Sequence, residues 1–125
     1  MEQAVRLTRI GGTPLFKPIK VDKDNSIMLA AMRKAFIETL DRNIAELLQN
    51  TARVKQYTSV ESFASYANAE GPYKAEAMVF CAWRSDMYAM LYGDFTDRVN
   101  ALTHIRSDAD AVKSYMDLLP KSPFV

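Results

Sequence analysis

Residues 24–50, DNSIMLAAMRKAFIETLDRNIAELLQN, constrain this chain more than any other stretch. Leu29, Met32/Arg33, Phe36, Leu40, Ile44 and Leu47 recur every three or four residues, which aligns them on one face of an α-helix. Asp24, Asn25 or Ser26 can cap its start. Arg33, Lys34, Glu38, Asp41, Arg42 and Glu46 fall mostly on the other faces. A helix near 26–50 therefore serves as the spine on which the rest packs. Its first turns, Ile27 to Met32, are apolar nearly all round, which predicts that this end is enclosed on several sides.

A chain of 125 residues suits one domain, and 49% hydrophobic with 25% charged residues is the balance of a globular protein. Sixteen basic and fifteen acidic side chains leave a net charge of +1, too little field to concentrate a polyanion. A single cysteine allows no internal disulfide and no Cys-Cys metal spacing. The N-terminus lacks the apolar core of a secretory signal, and the longest apolar run, Ile27 to Met32, falls far short of the roughly 20 residues that span a bilayer. The expectation is a cytoplasmic protein without a membrane segment.

The remaining elements read as a mixture of strands and helices. AVRLTRI alternates, Gly11-Gly12 permits a turn, and TPLFKPIKV alternates again around Pro14 and Pro18, predicting an edge hairpin near 4–21. Thr58-Ser59-Val60-Glu61 has the form of a capping box opening a helix near 59–69, ended by Gly71-Pro72. In EAMVFCAW, Met78, Phe80 and Ala82 alternate with Val79, Cys81 and Trp83; RSD resembles a loop and MYAMLYGDF resumes, predicting a second hairpin near 77–93. The competing reading keeps the first of these strands and starts a helix at Ser85 or Asp86. Helices follow near 95–106 and 108–119, the latter opened by Asp108 and Asp110, and KSPFV is a tail, loose or docked through Phe124. The predicted fold is one α+β domain over residues 1–125, with an antiparallel sheet of about four strands packed by about four helices.

Chemistry-bearing residues are few. His104 is the sole histidine and Cys81 the sole cysteine, so no zinc set is available, and Cys81 in a buried strand would be inert. Asp94 with Asp97, and Asp108 with Asp110, are explained as helix starts, and no phosphate-binding glycine motif occurs. No cofactor and no metal are expected. Arg98-Val-Asn-Ala-Leu-Thr-His104 resembles the Arg-x(4–6)-His signature of the HEPN ribonucleases over seven residues. That resemblance implies activation of an RNA 2′-hydroxyl by Arg98 and His104 without a metal, in a family that is helical throughout. A weaker nucleic-acid alternative uses Arg6, Arg9, Lys17 and Lys20 as phosphate contacts and Trp83 beside Arg84 as a stacking platform for single-stranded RNA.

Six tyrosines, six phenylalanines and seven methionines exceed what so small a core needs. Tyr88, Met90 and Tyr92 on the second hairpin, and Phe63 and Ala67 on the short helix, are the interface candidates. The function expected from these residues is a non-catalytic protein-interaction module. It would self-associate as a homodimer or bind another protein, as an accessory or assembly factor of the kind viruses and mobile elements often encode.

Overall fold

The computed structural model of the chain describes the backbone of residues 23–124 and the side chains from residue 26. The spine is helix α1, Lys23–Val54. It ends at a turn in which Gln56 takes a left-handed φ of 73°. Helix α2, Val60–Ser65, is capped by Ser59, whose hydroxyl accepts from the Ser62 amide at 3.0 Å, and runs on as a 3-10 turn, Tyr66–Asn68. The cap is thus Ser59 rather than Thr58, one residue later than the capping-box pattern predicts. Helix α3, Lys74–Met90, passes through a π-helical segment, Leu91–Phe95, into α4, Thr96–Asn100. These three pieces form one rod. Helix α5, Ala109–Met116, is capped by Asp108, which accepts from the Ala111 amide at 2.9 Å.

The expected α+β fold is overturned: the described residues are helical and contain no strand. The hairpin near 77–93 is the α3–π rod, and the hairpin near 4–21 lies outside the described residues. The physical reason lies in the composition of the misread segment. Short apolar runs satisfy both a two-residue and a 3.6-residue period, so periodicity does not choose between strand and helix. Between residues 77 and 92 only Val79 is β-branched, while alanine, methionine and leucine, all strong helix formers, supply much of the rest. Ser85 and Asp86, read as a loop, simply face solvent. The predicted 95–106 helix is likewise the end of the rod, and residues 101–108 are irregular.

Tertiary contacts set the rod antiparallel to α1. Glu76 meets Lys55 at 2.6 Å and Tyr57 at 3.1 Å at one end; Tyr92 meets Asp41 in the middle; Arg33 reaches the Leu102 carbonyl at the other. Phe36, Leu40, Ile44, Leu48 and Ala52 of α1 are buried against Ala77, Phe80, Trp83, Met87, Leu91, Phe95 and Val99 of the rod. Steps of four residues drift slowly around an α-helix, because each turn holds only 3.6. The wider π turn absorbs that drift between Leu91 and Phe95 and keeps the stripe on the core. Thr96 fits the distortion by donating its hydroxyl to the Leu91 carbonyl at 2.7 Å.

Phe63 enters from α2 as the centre of a ring stack, 4.0 Å from Tyr57 and 4.3 Å from Phe80. Tyr115 brings α5 onto Phe36 and Phe95, each at 5.2 Å. The C-terminal segment is docked: the Trp83 indole donates to the Pro120 carbonyl at 3.0 Å, Leu119 is buried, and Phe124 lies beside Phe63 with Lys55 over its ring. Among the described residues no helix is long and apolar enough to cross a membrane.

Candidate interaction surface

The first turns of α1 contradict the enclosure their composition predicts. Among the described side chains of the helix Phe36 is the first that is buried, whereas Ile27 is 60% exposed, Met28 61% and Met32 40%. The register explains why. Arg33 already lies against Leu102, past the end of α4, its Nε and Nη2 donating to that carbonyl at 3.2 and 2.6 Å. Ala30 is the first residue of α1 to line a groove with the rod, and the seven residues ahead of it, from Lys23, run on for about 10 Å at 1.5 Å per residue. An isolated helical segment that short gains little from its own hydrogen bonds, so its apolar side chains are a cost unless something covers them.

Next to these turns, α1 and the rod enclose a groove of about 530 Å³, lined by Ala30, Arg33, Lys34, Ile37, Glu38 and Asp41 on one wall and by Tyr92 of the π segment with Thr96 and Asn100 of α4 on the other. Tyr92 donates its hydroxyl to Asp41 Oδ2 at 2.8 Å and stacks with Tyr88 at 6.3 Å. The bond to Asp41 pushes the Tyr92 pKa up, and burial does the same for Tyr88. Both phenols stay neutral donors at ordinary pH. Both signs of charge border the groove, Arg33 and Lys34 towards one end and Glu38 and Asp41 towards the other.

A second aromatic group sits where α1, α2 and α3 meet. Tyr66 and Tyr73 are exposed and edge-on to each other at 5.5 Å, with Tyr57 beneath them. Burial and donation to Glu76 push the Tyr57 pKa up to about 12.

The structure distributes the sequence-predicted residues unevenly. Of the interface candidates, Tyr92 is exposed and lines the groove, while Tyr88, Met90 and Ala67 are half-buried and pack on the core. Phe63 is fully buried and is a core residue, not a surface one. Trp83, proposed as a stacking platform, is 5% exposed and held by Pro120, which leaves its face unavailable to a base; Arg84 is half-buried. Arg6, Arg9, Lys17 and Lys20 lie outside the described residues. Cys81 sits half-buried on a helix rather than in a strand, its Sγ 4.0 Å from the Ala64 carbonyl. Arg98 is paired with Asp94 at 2.8 Å and His104 is exposed in the irregular stretch after α4. Neither lines the groove. Among the described residues no cluster of three potential metal ligands occurs.

Sequence reasoning missed the exposure of Ile27 and Met28 and the roles of Lys34, Ile37 and Asp41. The signal for the first two was present, since an all-round apolar run demands a cover; the pattern does not say whether the cover lies within the chain. No protein family, curated protein or solved structure matches this chain.

Proposed function

We propose that this protein is a non-catalytic interaction module that self-associates, and that it acts as an accessory or assembly factor. The observation that supports this reading is the exposure of Ile27, Met28 and Met32 on the first turns of α1, ahead of every described side chain of that helix that is buried. Burying apolar surface of this kind against a second copy is worth about 25 cal/mol per Å². Light scattering over a hundredfold concentration range tests it. The wild-type chain is expected to form a dimer, and the doubly substituted Ile27→Glu/Met28→Glu chain a monomer whose unfolding temperature matches that of the wild type at concentrations too low for dimerisation, because both positions lie outside the core. A strictly monomeric wild type overturns the reading.

A second reading is a metal-independent ribonuclease using Arg98 and His104. It gains from two observations: the described residues are helical, as the resemblance implies, and His104 is open to solvent. It requires Arg98 to leave Asp94 when RNA binds. Loss of RNA cleavage in His104→Ala would support it; cleavage by that variant at the wild-type rate, or none by the wild type, removes it.

A further inference from the structure

We propose that the C-terminal segment, residues 120–124, is a displaceable strap, and that the site beneath it receives an extended segment of a partner protein with the same chemistry. That chemistry is a backbone carbonyl and, four residues on, an aromatic ring. The site lies at the opposite end of α1 from Ile27 and Met28, so the inference stands apart from self-association.

The site is built without the strap. Lys55, just past the end of α1, is held by Glu76 at 2.6 Å, and Glu76 also accepts from the Tyr57 hydroxyl at 3.1 Å. Tyr57, Phe63, Phe80 and Trp83 follow as one run of rings with centroids 4.0, 4.3 and 6.3 Å apart. Trp83 offers its indole N–H, a donor that needs an acceptor once water is excluded. Lys55 offers a cation that can lie over a ring.

The strap shows what fits. The Pro120 carbonyl accepts from Trp83 Nε1 at 3.0 Å. Four residues on, the Phe124 ring lies 5.8 Å from Phe63, with Lys55 Nζ 5.1 Å from its centre. Pro120 and Pro123 keep the stretch between them from closing into a helix.

Its hold is slight. Among the described residues, the Trp83 bond is the one hydrogen bond from residues 120–124 to the rest of the molecule. Ser122 uses its hydroxyl within the strap, accepting from the Phe124 amide and donating to the Phe124 carbonyl at 3.2 Å each. None of the five residues is fully buried, and Lys121 and Pro123 are exposed. One hydrogen bond, one half-buried ring and one cation–π contact stand against the conformational entropy of five ordered residues, contributions of similar size. A strap so balanced opens at little cost, while Leu119, buried just ahead of it, keeps its near end in place.

The test uses the full chain and an acetylated hexapeptide of residues 120–125 carrying Lys121→Gln, which trypsin does not cut. Trp83 is the only tryptophan, so its fluorescence reports on the site. The peptide is expected to bind Phe124→Ala, whose own strap is loosened, with a dissociation constant on the order of millimolar, and the wild type several-fold more weakly. A peptide with alanine in place of its phenylalanine should give no saturable change. On the wild type, excess peptide should speed trypsin cleavage after Lys121 several-fold, and this measurement decides the matter if Phe124→Ala does not unfold cooperatively.

No saturable binding to Phe124→Ala together with an unchanged cleavage rate overturns the proposal and makes the segment a fixed part of the core. An equal response to the alanine peptide overturns it as well. A wild-type dimer that Phe124→Ala abolishes assigns the site to the strap of a second copy and overturns the foreign partner. Dimerisation lost only in Ile27→Glu/Met28→Glu supports the proposal's separation of the two surfaces.

Discussion

Replacing Phe63 distinguishes a core role from a surface role for the one interface candidate that the structure moves inside. The ring is fully buried between Tyr57 and Phe80, nearly parallel to both at 10° and 15°, with Phe124 at 5.8 Å. Phe63→Ala removes the whole ring, and burial sites of this kind lose about 3–5 kcal/mol. Phe63→Leu keeps most of the apolar volume and forfeits the ring pairs, at about 0.5–1.5 kcal/mol each. For a chain of 125 residues the entropy of unfolding is on the order of 0.26 kcal/mol/K, so a loss of about 4 kcal/mol lowers Tm by roughly 15 °C. That is a large fraction of a stability of about 0.05–0.15 kcal/mol per residue. Urea unfolding followed by far-ultraviolet circular dichroism gives the free energies, and calorimetry gives Tm. Phe63→Ala within about 1 kcal/mol of the wild type, combined with weakened self-association, would refute the ring stack as core and return Phe63 to an interface.

Gly93→Ala and Gly71→Ala should have opposite signs in the same denaturation assay. A Cβ at Gly93 meets nothing within 4 Å in helical backbone, so alanine should stabilise by about 0.5–1 kcal/mol, whereas Gly71 holds φ of +148° and alanine there should cost about 1–3 kcal/mol. Trp83→Phe removes the donor to Pro120 while keeping a ring in place; stability should fall by about 1 kcal/mol, and trypsin should cut after exposed Lys121 several-fold faster. Tyr57 tests the pH dependence. Its folded pKa of about 12 lies above the unfolded value of about 10, so its contribution is complete below pH 10 and is lost as pH rises through 12. Chemical denaturation at pH 8, 10 and 11.5 should show a shallower alkaline decline for Tyr57→Phe than for the wild type.

Local signals in the sequence carried as far as their range allows. The stripe of Phe36, Leu40 and Ile44 is visible in the residues themselves and is buried, but past it the spacing predicts Leu47, which is exposed, where α1 instead buries Leu48 and Ala52. Asp108 opens α5 where its acidic start predicts, and the α2 start was misplaced by one residue because Thr58 and Ser59 both offer a capping hydroxyl. The 77–93 segment failed for a different reason. Its apolar residues go all the way round a helix and also alternate along a strand, so no pattern inside the segment distinguishes the two.

For the candidate surface, the residue types were legible and their exposure was not. Tyr92 and the apolar run from Ile27 to Met32 stand out in the sequence, yet so do Phe63 and Trp83, which the fold buries. Helix periods and caps depend on residues three or four positions apart, and those the sequence by itself determines. Which face is covered depends on partners far along the chain: Asp41 with Tyr92, 51 residues away, and Arg33 with Leu102, 69 away. Only the tertiary structure decides those pairings, because burial is a property of how whole helices lie against one another. The same register that sets the rod beside α1 ends the rod short of Ile27, and that leaves the first turns exposed.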